Sequence, residues 1–287
     1  MIGRPQSTLV LLVTCSRDEM RRDIAIKVMN NLAQVLPDAG LGDSFVVFDN
    51  ASTFDDHLSL APPRTVICRS PTNVGYWSAI RWVLVNRAGL LSRPFEYLYI
   101  VESDLWHKDL RPLADCEQFL RLEATASCVR TQEFSVRARW RFDKRFHWLP
   151  FHVTRSEVLL TNAVTGEPGW FRPMTYCPGL YLSNLHPKLP ALNRIGALER
   201  VFGDLSDLSA FTEGDFFRLM MKQYPHIGIL DGGLYYSLTS RGDRHRVPTG
   251  SYSTADTLHN FGYHSTRTAQ FMPTSDIVVT RMTRELS

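Results

Sequence analysis

The chain carries 287 residues, 44% of them hydrophobic and 21% charged, with a formal net charge of +3. That is the composition of an ordinary globular protein with a sizeable core, long enough for one large α/β domain or two small ones. A charge this small does not by itself demand a nucleic-acid partner.

The basic residues are mostly arginine, which suits phosphate forks but also follows from genomic composition. Five cysteines, at 15, 68, 116, 128 and 177, are odd in number and scattered, with no Cys-x-x-Cys pair. A zinc site or disulfide framework is therefore disfavoured, and a reducing compartment is the default. Leu9 to Val13 is too short for a signal-peptide core, and no apolar stretch approaches a membrane span. The expectation is a soluble, cytoplasmic protein.

Thr8 to Thr14 is a continuous apolar run, as a strand buried on both faces requires. Ser16, with Glu19 three residues later, has the form of a capping box and predicts a helix start. Met20, Ile24, Val28, Leu32 and Val35 follow at roughly helical spacing until Pro37-Asp38-Ala39-Gly40 breaks them. Ser44 to Phe48 reads as a second strand, ending at Asp49-Asn50-Ala51-Ser52. Arg64 to Cys68 reads as a third. Asn73-Val74-Gly75 then leads into a helix predicted from Tyr76 to about Asn86. Tyr97 to Val101 is a fourth strand, and it ends in Glu102-Ser103-Asp104. Two hard oxygen ligands at a strand's carboxyl end suit Mg²⁺ or Mn²⁺, where open α/β sheets place their ligands.

The order β-α-β-β-α-β, with polar residues at every carboxyl end, predicts a nucleotide-binding half-sheet. From Asp115 onward repeated prolines predict a loop-rich half without long helices. Its clear signals are a helix from Thr212 to Gln223 and a short strand from Ile227 to Leu230. Arg130 to Trp148 interleaves arginines with Trp140, Phe142, Phe146 and Trp148. That pattern suits a half-exposed strand, a glycan or lipid-phosphate acceptor, or a nucleic acid. Thr239 to Ser251 reads as a basic loop suited to closing over a ligand.

Single residues carry two readings each. Asp49 is placed to accept hydrogen bonds from a base or ribose, or to cap its own turn. Thr14 and Arg17 stand at a strand–helix junction that attracts phosphates. Asn73 and Gly75 form a turn or a ligand loop, and Arg81 is one helical turn beyond. Asp215 is a first-turn helix residue or a general base.

Several of these segments carry a resemblance. Val13-Thr14-Cys15-Ser16-Arg17 resembles the V-T-Y-N-R of family 2 nucleotide-sugar glycosyltransferases. Val47 to Ser52 resembles their V-D-N-x-S, and Asn73-Val74-Gly75 with Ala79 resembles N-x-G-x-x-x-A. Glu102-Ser103-Asp104 falls where that family has D-x-D, and Glu213 to Arg218 resembles its acidic helix start. The resemblance implies a GT-A type mixed sheet flanked by helices, with residues 1–114 as the nucleotide-sugar half and 115–287 as the acceptor half of one domain. It implies a UDP-linked or similar donor, held by Thr14, Cys15, Arg17, Asp49, Asn50, Asn73, Gly75, Arg81 and Ser103. Mn²⁺ or Mg²⁺ on Glu102 and Asp104 is implied too, with Asp215, or next Glu213, as the base of an inverting transfer. The acceptor expected is a glycan or small molecule, with a DNA base as the minority reading.

The sequence departs from the family at several points. Glu102 replaces the commoner Asp, Ser16 replaces Asn, and the acidic motif is one residue short. Tyr235-Tyr236 stands where many relatives carry a His, so His245, His259 and His264 are candidates to complete the metal shell. A sugar nucleotidylyltransferase is disfavoured because no Gly-rich loop follows the first strand. The non-enzyme alternative is an inactive GT-A domain that binds sugar or nucleic acid.

Overall fold

The computed structural model describes residues 5–132, 140–141, 158–162, 168–203, 205, 208, 211–239 and 276–282. Strands β1 (Thr8–Thr14), β2 (Phe45–Asn50), β3 (Val66–Ser70) and β4 (Tyr97–Val101) run parallel in the spatial order β3-β2-β1-β4. Their apolar runs bury both faces. Leu9, Leu11 and Val13 face one core, while Val10 and Leu12 face the other, as period-two alternation requires.

Beyond β4 the sheet becomes mixed. The later strands are β6 (Ala126–Arg130), β7 (Trp140–Arg141), β8 (Val158–Asn162), β9 (Pro168–Pro173), β10 (Leu180–Ser183), β11 (Ala191–Arg194) and β12 (His226–Leu230). With β14 (Val278–Arg281) on the β3 edge, the order is β14-β3-β2-β1-β4-β11-β6-β12-β10-β9-β8-β7. β11 is antiparallel to both its neighbours, β4 and β6. A separate pair joins β5 (Leu105–His107) to β13 (Tyr235–Ser237).

Helices cover both faces. α2 (Tyr76–Leu90), α4 (Ile195–Gly203) and α5 (Glu213–Gln223) pack on one face. α1 (Glu19–Asp38) and α3 (Leu113–Leu122) pack on the other. The protein is thus a mixed α/β fold with a large sheet between helical layers. The boundary expected between residues 114 and 115 falls inside α3, and strands from both sides share the sheet. No helix among the described residues is long and apolar enough to cross a membrane.

Some local expectations need correction. The N-cap of α1 is Asp18, whose carboxylate accepts from Arg21 N at 2.8 Å, and not Ser16. Ser16 is drawn away because its backbone N–H donates to Ser52 Oγ at 2.7 Å. α1 also runs through Pro37 to Asp38 and closes where Gly40 adopts φ +74°. β3 begins two residues late because Arg64 has φ +66° and Thr65 turns back onto the Pro62 carbonyl. As expected, the proline-rich half has no long helix outside Glu213–Gln223 among the described residues, and it adds two short ones, α3 and α4, each carrying an apolar stripe such as Ile195, Leu198, Val201 and Phe202.

Candidate functional site

The carboxyl ends of the parallel strands meet as a set of interlocked loops. Thr53 and Phe54 N–H groups donate to the Ser16 carbonyl at 2.8 and 3.0 Å, tying the loop after β2 to the loop after β1. Asn50 Nδ2 donates to Asn73 Oδ1 at 2.8 Å, and Asn50 Oδ1 accepts from Val74 N at 2.8 Å. Asn73 Oδ1 also accepts from Gly75 N at 2.8 Å, while its Nδ2 donates to Cys15 Sγ at 3.9 Å. The two asparagines therefore hold three loops in register. Gly75 takes φ +85°, a conformation that favours glycine, so that α2 starts on this edge.

Asp49 is fully buried. Its Oδ1 accepts from Ser52 N at 3.1 Å, the turn-capping arrangement, and its Oδ2 faces Arg69 Nε at 3.1 Å. Arg69 reaches on to Asp55 at 2.6 Å. Thr14 Oγ1 lies 3.3 Å from Nε2 of His57, a buried residue whose Nδ1 has no hydrogen-bond partner among the described residues. Burial lowers the pKa of His57 against the opposing charges of Asp49, Asp55 and Asp56. Neither His57 nor Arg69 has a sequence signal, since both lie outside the motifs.

One strand over, the turn Glu102-Ser103-Asp104 leaves β4. All three residues are half-buried. Asp104 Oδ2 accepts from Thr239 Oγ1 at 2.8 Å, and its carbonyl accepts from Leu238 N at 2.8 Å. Burial, then the neighbouring charges of Asp104 and Glu213, push the Glu102 carboxyl well above the usual carboxylate range, with Lys188 pulling the other way. Burial also raises Asp104, against its bond from Thr239. These carboxyls touch solvent and yet are largely enclosed by protein, the surroundings that raise a carboxyl's pKa.

Glu213 opens α5 beside this turn. Its side is accessible to solvent, but the surrounding protein still raises its pKa, against Lys188 and Arg130. An aromatic cluster fixes this meeting of α2 and α5. Trp77 stacks on Phe216 at 4.9 Å between ring centroids, and meets Phe211 edge-on at 5.3 Å. Tyr76 and Glu213, the first residues of their helices, are carried by those rings to the same place. Glu102, Glu213 and Asp104 are the charges that bear on the Tyr76 phenol.

Asp215 is elsewhere. Its Oδ2 accepts from Thr212 Oγ1 at 2.7 Å and Thr212 N at 3.1 Å, closing a capping box, and its Oδ1 pairs with Arg218 at 2.6 Å. Those bonds from Thr212 hold its carboxyl below the usual range. The acid brought to the Glu102–Asp104 turn is Glu213; Asp215, first in the sequence reading, is a helix cap. Arg81 is also turned to a local task, donating to the Leu205 carbonyl at 2.8 Å. Arg17 is exposed beside Cys15. No family model matches the chain, and no curated protein matches it.

Among the described residues no group of three or more His, Cys, Asp or Glu side chains is gathered closely enough to hold a metal ion by itself. The Glu102 and Asp104 pair still fits a hard cation such as Mg²⁺ or Mn²⁺. Such ions take one or two carboxylates and fill their shell with water and phosphate oxygens. His245, His259 and His264, residues 240–251 of the basic loop, and most of Arg130 to Trp148 lie outside the described residues. Arg130 is described, nearly buried, at the end of β6. Lys188 has no signal in the sequence, being set among prolines with no periodicity around it.

Proposed function

We propose that the protein is a metal-dependent, inverting glycosyltransferase of GT-A type, moving a sugar from a nucleotide-diphosphate donor, UDP-linked by preference, to a hydroxyl acceptor. The observation that carries this reading is that the charges of Asp104 and Glu213 both bear on Glu102 at the carboxyl edge of the sheet, a place we read as the floor of a cleft. The interlocked loops after β1, β2 and β3 support it, because they form a polar wall beside that cleft.

In this reading the nucleotide lies against the Thr14–Arg17 turn, Asp49 and the Asn73–Gly75 loop. Mn²⁺ or Mg²⁺ would be held by Glu102 and Asp104, and when bound it supplies positive charge to a leaving diphosphate. Glu213 takes the proton from the acceptor hydroxyl, a poor nucleophile at neutral pH without a base. Its raised pKa suits that task, since a base works best when its pKa approaches the working pH. Thr239 orients Asp104, Lys188 offsets the charge of Glu102 and Glu213, and Arg130 adds to this at Glu213. The acceptor is a glycan or small molecule; modification of a DNA base predicts instead competition by duplex DNA that fades with salt.

A melting-temperature panel of nucleoside diphosphates and nucleotide sugars, each with and without Mn²⁺, tests the reading. A ligand that binds only the folded state raises the melting temperature. The expected result is a rise with one nucleotide family that needs the metal and disappears in Asp104→Ala. No rise with any nucleotide, metal present, removes the glycosyltransferase reading. A rise that persists in Asp104→Ala favours an inactive binding module.

A further inference from the structure

The hydroxyl of Tyr76 is buried and has no hydrogen-bond partner among the described residues. Leaving a phenol O–H buried and unpaired is unfavourable, so native structures rarely do it without a use. The ring is held edge-on to Trp77 at 5.2 Å between centroids, and Trp77 is itself clamped on Phe216. The side chain is thus fixed by aromatic packing rather than by its polar end. Glu102, Glu213 and Asp104 are the charges that bear on that polar end, and none of them accepts its proton. Carboxylates are strong acceptors, so a buried phenol that feels three of them and bonds to none is left to donate to an oxygen brought by a ligand.

We propose that the Tyr76 hydroxyl binds the transferred sugar, donating a hydrogen bond to one of its oxygens. The proposal rests on the glycosyltransferase reading. In an inverting displacement the leaving diphosphate and the base lie on opposite sides of the anomeric carbon. A group that stands both beside the Glu102–Asp104 turn and beside Glu213 therefore faces the sugar between them. Tyr76 directly follows Gly75, so the loop that walls the nucleotide also delivers this hydroxyl.

Tyr76→Phe removes the one oxygen and keeps the ring that packs on Trp77. Dissociation constants are measured by calorimetry, with Mn²⁺, for UDP-glucose, UDP-N-acetylglucosamine, GDP-mannose and dTDP-rhamnose, and for UDP, GDP and dTDP. For the nucleotide family that wild type binds, the variant is expected to bind the nucleotide sugar about tenfold more weakly, and the bare diphosphate unchanged. The melting temperature of the ligand-free variant is expected to equal or exceed that of wild type. Equal loss for sugar and bare diphosphate overturns the assignment by placing the hydroxyl at the phosphates. No loss for either overturns it outright, as does a melting temperature several degrees lower, which would mean a structural partner. If wild type itself binds none of the seven probes, the function reading fails first, and the Tyr76 assignment with it.

Discussion

Glu213 and Asp215 share one helix start and have opposite surroundings. Asp215 has spent both oxygens on Thr212 and Arg218, whereas Glu213 faces Glu102, Lys188 and Arg130. Thr212→Ala should cost about 1 kcal/mol of stability through the lost cap and leave turnover within a few-fold of wild type. Glu213→Gln should leave the melting temperature unchanged while cutting sugar transfer by about 100-fold or more. Turnover and melting measured on these two, with Asp215→Asn beside them, check the assignment. A variant at 215 that loses transfer while Glu213→Gln keeps it would reverse it. The sequence shows both acids and their helix. Which one faces the cleft is decided by the Trp77–Phe216 stack between segments far apart in the chain, and local spacing carries no record of that.

At the scale of elements, the cleft depends on how α2, α5 and the sheet are pressed together. Trp77→Ala should destabilise the fold by about 3–5 kcal/mol, as large aromatic deletions in a core do. It should also weaken nucleotide binding, because Tyr76 and Gly75 ride on the same helix start. Gly228 on β12 is a second sensitive point: a Cβ there would stand 2.6 Å from Phe119 Cε1 and 2.8 Å from Val129 Cγ2. Gly228→Ala should therefore cost about 1–3 kcal/mol by overpacking, read by denaturant titration. A neutral result would mean that α3 is not pressed onto β12 as described. The parallel strands β1 to β4 are legible in the sequence because each is an apolar run with a polar end. Of the later strands β12 is legible too, as Ile227 to Leu230, whereas β9, β10 and β11 are not. β11 enters between β4 and β6 from much later in the chain, and its four residues Ala191–Arg194 are too short to show a period. α4 is hidden for another reason: Pro187 and Pro190 before it read as loop, while its apolar stripe is sufficient for a helix.

For the whole molecule, buried histidines set an acid limit. His107 is fully enclosed, with Nε2 at 3.1 Å from the Tyr99 hydroxyl, and burial lowers its pKa to about 3. His57 is lowered for the same reason. An unfolded histidine titrates near 6.5, so between that value and the folded pKa the unfolded chain binds more protons. Stability is then full above about pH 6.5 and falls as pH drops toward 3, by up to about 1.4 kcal/mol per pH unit for His107. The raised carboxyls of the cleft act in the opposite sense, since the folded state there holds its protons more tightly. The difference between wild type and His107→Gln therefore carries the test. Below pH 6.5 the variant should show the flatter decline in denaturant stability, and parallel profiles would show that His107 is not buried neutral.

The central claim is that Glu102 and Asp104 share one site with a diphosphate. Mn²⁺ titrated by calorimetry, with and without UDP or GDP, tests it most directly. Two carboxylates leave most of a divalent shell open, so the metal alone should bind weakly and a fitting diphosphate should tighten it at least about tenfold, with the reciprocal gain for the nucleotide. Asp104→Asn should abolish that coupling. Equal Mn²⁺ affinity with and without either nucleotide, or coupling that survives in Asp104→Asn, would contradict the account.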